Sequence, residues 1–209
     1  MATSASPATL ISAITTHDGT VVSTPVRVAS VALMAGLTAA AAQISVPLPF
    51  TQVPFTFQPM VVLLGGLALG SRLGASAQVL YLLAGVAGLP VFAASPALPQ
   101  GLLRLMGPTG GYLLSYPLAA FVVGQLAERG FDRRYLTSVL AMLAGLVVVY
   151  AAGASMLALV VRPASASTVA ALQTAFLTGV APFVLADVAK LLLAAGIVPS
   201  VWKLVRPNS

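Results

Sequence analysis

The sequence contains no cysteine and one histidine, and only 7% of its 209 residues are charged. Without cysteine there is no disulfide, no thiolate metal ligand and no thiol nucleophile. A single histidine, His17, builds no cluster of imidazole ligands. The shortage of charge excludes more. An ordinary soluble domain carries about 25% Asp, Glu, Lys and Arg, so this chain has too little polar surface to coat a water-soluble globule. The GxxxxGK[ST], HExxH and GxSxG signatures are also missing, so neither nucleotide hydrolysis nor a familiar hydrolase chemistry is signalled.

What is present is apolar. Hydrophobic residues make up 59% and mean hydropathy is +1.02, the composition of an integral membrane protein. A net charge of +6 and a pI near 10.3 would raise nucleic acid as a partner for a soluble chain. Here the basic residues stand singly at the ends of apolar runs. That pattern sets membrane topology and forms no phosphate-binding stripe, so no nucleic-acid partner is expected.

Residues 1–25 are rich in Ser, Thr and Ala, with no basic stretch ahead of an apolar run. They do not read as a signal peptide and are expected to be a mobile tail in which His17 and Asp18 are solvated. Residues 26–205 are expected to form a single membrane domain. Its apolar segments run over 28–44, 58–70, 74–92, 109–127, 135–161 and 169–201. A spanning helix needs about 20 residues, and the second segment falls short. Charge decides in favour of six spans. With the N-terminus inside, the inner loops hold Arg27, Arg72, Arg129, Arg133, Arg134, Lys203 and Arg206, against Arg104 and Arg162 outside. The expected fold is therefore an all-α membrane protein with six transmembrane helices and both termini cytoplasmic. The outer loops 45–57 and 93–108 are long, whereas the inner links are short. The first is apolar and holds three prolines, which favour extended backbone. It is expected to lie against the protein as a cover over a site open to the outside.

Two constellations carry chemistry. Asp187 and Lys190 lie inside the last apolar segment, in PFVLADVAKLLLAAG. Charges at such a position are costly and functional by default, and the i, i+3 spacing puts both on one helix face. The pair either satisfies itself or presents an acceptor and a donor to a polar ligand. Pro182 is expected to kink the helix nearby and free backbone groups. The second constellation is GPTGGY at 107–112. Pro108 suits a first helical turn, with Thr109 or Gly107 as cap. The N–H groups of that start favour an electron-rich ligand group. Gly110 and Gly111 allow close approach of a ligand or a helix, and Tyr112 is able to stack on a flat ligand and donate from its hydroxyl. Arg104, just upstream, either meets a carboxylate or snorkels to solvent. Gln52, Gln58, Gln78 and Gln100 are weaker hydrogen-bonding candidates. The first segment, ALMAGLTAAAAQ, spaces Ala35 and Ala39, and also Ala32, Gly36 and Ala40, four apart. Such small residues serve packing within the chain or docking of a partner helix. These features describe a binder of a small neutral or anionic solute with no energy source of its own.

VPFTFQ at 53–58, LGSRLGASAQVLYLLAGVAGLPVFA at 69–93, GPTGGYLLSYP at 107–117 and PFVLADVAK at 182–190 together resemble the BioY family, the biotin-specific substrate-binding subunits of energy-coupling-factor (ECF) transporters. The resemblance covers about residues 27–204. It implies six transmembrane helices and biotin bound from outside beneath the first outer loop. It also implies partnership with a transmembrane coupling subunit and cytoplasmic ATPases, in the cell membrane, with no enzymatic activity and no cofactor. Asp187 and Lys190 match the family's polar pair, Tyr112 and its glycines match the start of helix four, and Ala35 and Ala39 match the AxxxA docking face. Asp187 would then accept from the ureido N–H groups, and Lys190 or Arg104 would meet a polar end of biotin. FTFQP departs slightly from the commoner FTLQ-type run, and Ser115 stands where Gly is frequent, which bears on helix packing. A subunit of the same type for another vitamin, such as thiamine or riboflavin, is the alternative. A membrane enzyme should carry more intramembrane polar groups, and a mere scaffold would leave the charge pair without a reason.

Overall fold

The computed structural model describes residues 9–11, 23–95, 98–161 and 167–205. Most of the expected tail, with His17 and Asp18, lies outside the described residues, as do Arg162 and Arg206. Thr9 and Leu10, within the same stretch, are buried.

Helix α1, Thr24–Gln43, begins with Pro25 in its first turn, where a missing N–H costs nothing. The following loop is not irregular throughout. It forms a hairpin of two short antiparallel strands, β1 (Ser45–Val46) and β2 (Phe55–Thr56), pairing Ser45 with Thr56 and Val46 with Phe55. The expectation of a purely helical chain is corrected to that extent: β-branched and aromatic residues flank a proline-bearing turn, and pairing gives their backbone groups partners.

Helix α2, Gln58–Leu69, has 12 residues and spans about 18 Å at 1.5 Å per residue. Gly70, at φ +83°, turns the chain into α3, Ser71–Val86. The third apolar segment thus begins and ends earlier than its composition suggests. Gly88, at φ +94°, and Pro90 follow the helix and prevent its continuation.

A short helix α4, Leu102–Met106, precedes α5, Gly110–Ala127. A single 3₁₀ turn, Phe131–Arg133, leads into α6, Tyr135–Val161. The sixth segment is not one helix but three: α7 (Thr168–Gly179), α8 (Ala181–Ala194) and α9 (Ile197–Val205). The first break falls at Val180, with φ −124° and ψ −62°, because Pro182 has no N–H to give the preceding turn and its ring excludes the carbonyl four residues back. The second falls at Ala195 and Gly196.

Among the described residues, four stretches are long and apolar enough to cross a membrane: α1, α5, α6 and the α8–α9 run of Ala181–Val205. Of these α5 is the most enclosed, 61% buried against 28% for α1 and 33% for α6, so it is the axis of the bundle. It packs on α2, α3 and α6. Small residues permit this. A Cβ added at Gly124 of α5 would run into the backbone of Gly70 and Ser71, whereas one at Gly36 of α1 meets open space.

The charged ends of the helices gather opposite the hairpin. There Glu128 accepts from the Ser71 amide at 2.8 Å and its hydroxyl at 2.7 Å, capping α3. Asp132 accepts from the Trp202 indole at 2.6 Å, and Arg133 lies 5.2 Å from the Trp202 ring centroid, which fastens α9 to the α5–α6 turn.

Overpacking a tight core costs about 1–3 kcal/mol. Gly124→Ala is expected to lower stability by that order, whereas Gly36→Ala leaves it unchanged or slightly raised. Thermal unfolding of the detergent-purified variants measures both.

Candidate substrate-binding site

Between the hairpin and α5, α6 and α8 lies a cavity with about 560 Å³ of atom-free space, part of it open to solvent. Its walls are mostly apolar, with Val53 and Pro54 from the hairpin, Val149 from α6 and Phe183 from α8.

Asp187 is 8% exposed and lines the cavity. Tyr150 of α6 donates to its Oδ2 at 2.6 Å. Lys190 forms an ion pair with its Oδ1, as the i, i+3 spacing allows. The expected polar pair therefore exists, but its members face different ways. Lys190 does not line the cavity. Its Nζ donates to the Thr56 carbonyl of β2 at 2.6 Å and lies 4.0 Å and 5.2 Å from the ring centroids of Phe55 and Phe57.

Arg104 and Thr109 supply further polar groups to the same cavity. Sequence alone leaves Arg104 to solvent or to a ligand, and the structure buries it at 2% exposure. Nη2 donates to the Ala93 carbonyl at 2.8 Å, and Nη1 to those of Leu98 and Pro99 at 3.3 and 3.4 Å. The guanidinium thus staples the 93–108 loop together while lining the cavity. Burial lowers its pKa from the ordinary value, yet guanidinium stays protonated in proteins. Among the described residues, Arg104 Nε has no hydrogen-bond partner, and neither has the Thr109 hydroxyl. Thr109 occupies the N-cap position of α5, but its side chain does not cap. Thr109 lines the cavity.

Tyr112 lines the same cavity. Its hydroxyl is already committed, donating at 2.8 Å to the carbonyl of Gly179, which the break at Val180 exposes. The expected kink near Pro182 does free a backbone group, but a tyrosine of the protein takes it. The ring fits against Gly153 and lines the cavity, so its face remains available for stacking. Gly110 lies elsewhere: it faces the Leu105 carbonyl and the Met156 side chain, and Gly111 faces Ala152 of α6. These glycines let α4 and α6 approach α5 and do not line the cavity.

Of the glutamines, Gln58 lines the cavity and donates to the Tyr81 hydroxyl at 2.6 Å, which in turn donates to the Val91 carbonyl. Gln78 joins α3 to α1 through Thr38; Gln52 and Gln100 are exposed. Sequence reasoning passed over Tyr150 and Tyr116, which also lines the cavity. The available signal was a hydroxyl placed inside an otherwise apolar run. On α1, Ala35 is buried and Ala39 is half-buried against the core. The small residues that face outward are Ala32, Gly36 and Ala40.

Comparison with known proteins agrees with this architecture. The BioY family model matches residues 13–207. The probable biotin transporter BioY of Pyrococcus horikoshii is 39% identical over 164 residues, 78% of this chain and 88% of the relative. The biotin transporter BioY of Thermotoga maritima is 37% identical over 150 residues, 72% and 81% of the two chains. A crystal structure of the S-component for biotin from an ECF-type ABC transporter superposes with a TM-score of 0.71 over 85% of this chain and 90% of its own, at 22% identity, a likeness of fold.

Proposed function

The chain belongs to the BioY family, and we propose that its cavity captures biotin from outside the cell as the substrate-binding subunit of an ECF-type transporter. It is a multi-pass protein of the cell membrane that serves transport and is not an enzyme. Six crossings account for the helices: α1, α2 with the hairpin, α3, α5, α6, and α7 through α9. Helix α2 is too short for a hydrocarbon layer of about 30 Å, so the hairpin completes its crossing. Such backbone is tolerated at membrane depth because it lines a protein cavity. The end rich in Arg and Lys faces the cytoplasm, with both termini there, and the hairpin faces outward.

The observation that carries the ligand assignment is one mostly apolar cavity lined by a carboxylate, Asp187, and by two residues with buried polar atoms that lack a partner, Arg104 and Thr109. Biotin has ureido N–H donors at one end, a carboxylate at the other and an apolar thioether ring between. Asp187, oriented by Tyr150, accepts from the ureido N–H groups. Arg104 Nε and the Thr109 hydroxyl, both buried donors without a partner, receive the carboxylate. The Tyr112 ring, Val53 and Phe183 enclose the apolar middle. Of the two candidate basic residues, Arg104 is thus the one that meets the carboxylate.

Uptake needs an energised partner, and the reading includes a transmembrane coupling subunit with cytoplasmic ATPases. The docking face on α1 is the outward stripe of Ala32, Gly36 and Ala40, where close approach of a helix needs small side chains.

A hydrogen bond to a charged group contributes about 1.5–3 kcal/mol, about ten- to a hundredfold in affinity. Arg104→Met is expected to weaken biotin by that factor and the uncharged biotin amide far less, measured by equilibrium binding. Equal losses for both would remove Arg104 from the carboxylate. Gly36→Leu is expected to abolish ATP-driven biotin uptake and co-purification of the coupling subunit with binding unchanged; normal uptake would remove the stripe from the docking face.

A further inference from the structure

We infer that the α5–α6 turn and α9 form a site for the anionic headgroup of a membrane lipid, built by Arg133, Arg134 and Lys203 around Trp202. The helix ends gathered opposite the hairpin expose Arg72, Arg129, Arg133, Arg134 and Lys203. Among the described residues, two carboxylates share that end, and both are committed within the protein. Glu128 accepts from Ser71 at the start of α3, and Asp132 accepts from the Trp202 indole. The charge left at the surface there is positive. The groups around Trp202 are also held in place. Asp132 is fully buried, and its bond fixes the indole that carries Arg133 on its face, 5.2 Å from the ring centroid. Stacking uses the plane of a guanidinium, whereas its N–H fork is the part that matches phosphate oxygens. Arg134 follows Arg133 on the turn, and Lys203 follows Trp202 on α9. The Tyr135 hydroxyl donates to the Leu192 carbonyl at 3.0 Å, and its ring faces Gly196. The break between α8 and α9 is thereby pinned to the same turn.

The neighbouring residues decide what kind of anion fits. Leu136, in the first turn of α6, is 72% exposed, and Leu204, beside Lys203, is 80% exposed. An acidic segment of a soluble partner offers nothing apolar to such leucines. A lipid leaflet places acyl chains directly beside its phosphates, so one partner satisfies both kinds of side chain. Tryptophan and tyrosine gather at headgroup level. Trp202 stands near the end of the apolar run Ala181–Val205, and Tyr135 opens α6. Helix α9 has the matching division of faces: Val198, Pro199 and Trp202 are buried, while Lys203 and Leu204 face outward. Each Lys or Arg near an anionic leaflet strengthens binding about fivefold, and three of them converge on this turn.

The site is independent of the biotin reading, and the chain carries its own reporter. Trp202 is the one tryptophan in the sequence, so quenching of its fluorescence by brominated acyl chains reads this turn alone. The full chain is reconstituted in phosphatidylcholine vesicles with increasing amounts of brominated phosphatidylglycerol, or of brominated phosphatidylcholine. The anionic lipid is expected to reach half-maximal quenching at a fraction about tenfold lower than the zwitterionic one. Arg134→Gln and Lys203→Gln each raise that fraction about fivefold, and the double variant brings the two lipids level. The Trp202 emission maximum stays unchanged, as the Asp132 bond requires. Arg27→Gln, which removes an exposed cation from the start of α1, leaves the fraction unchanged. High salt, which screens exposed charge without any substitution, removes the preference in the native chain. Equal quenching by the two brominated lipids overturns the site. So does a preference that Arg27→Gln weakens as much as Arg134→Gln, since that marks the diffuse attraction of a basic face. Displacement of the lipid by inorganic phosphate at constant ionic strength would make it a site for a free anion and overturn the lipid assignment.

Discussion

One buried carboxylate, Asp187, organises this molecule. An ionised group inside an apolar helix is tolerated only when partners replace the water it loses. Three consequences follow from how Asp187 finds them. Lys190, one turn along α8, supplies the counter-charge. Tyr150 reaches across from α6 and fixes the carboxylate's second oxygen, which ties two helices to one point. Lys190 in turn draws the Thr56 carbonyl down and seats the outer hairpin. A buried ion pair adds little stability over apolar residues of similar volume, so stability does not account for this one. Its place at the cavity wall does.

The break at Val180 belongs to the same design. Pro182 ends α7 early and exposes the Gly179 carbonyl, which accepts from the Tyr112 hydroxyl. The ring is thereby held against the bundle by its polar tip, and its face is left for a ligand. Elsewhere on the cavity wall, three loop carbonyls hold the Arg104 guanidinium by its terminal nitrogens and leave Nε free. Asp187 and Arg104 are thus both held by bonds made within the protein.

Much of this was legible in the sequence, and the limits have physical causes. Hydropathy and charge located α2, α5 and α6 almost to the residue, because these helices are bounded by Gly, Pro or charged turns. The last segment was read as one helix because its apolar run is continuous; only the local geometry around Pro182 and Gly196 divides it. The charge pair announced itself by its cost, but periodicity could not say that Asp187 faces the cavity and Lys190 the hairpin. That division depends on where Thr56 lies, 134 residues away. Arg104 sits in a loop whose folding over it no local pattern encodes. At Gly110 and Gly111 the sequence leaves open whether a ligand or a helix comes close, and the neighbours in the structure are helix and loop. On α1 two interleaved stripes of small residues are equivalent by spacing, and burial alone separates the inward Ala35 from the outward Gly36.

We propose that the cavity lined by Asp187 and Arg104 takes biotin. The most direct test is equilibrium binding of radiolabelled biotin to the purified, detergent-solubilised protein, with unlabelled biotin, thiamine and riboflavin as competitors. Saturable binding displaced by unlabelled biotin and not by the other two is the predicted result. A folded protein that binds no biotin, or releases it equally to thiamine or riboflavin, would contradict it.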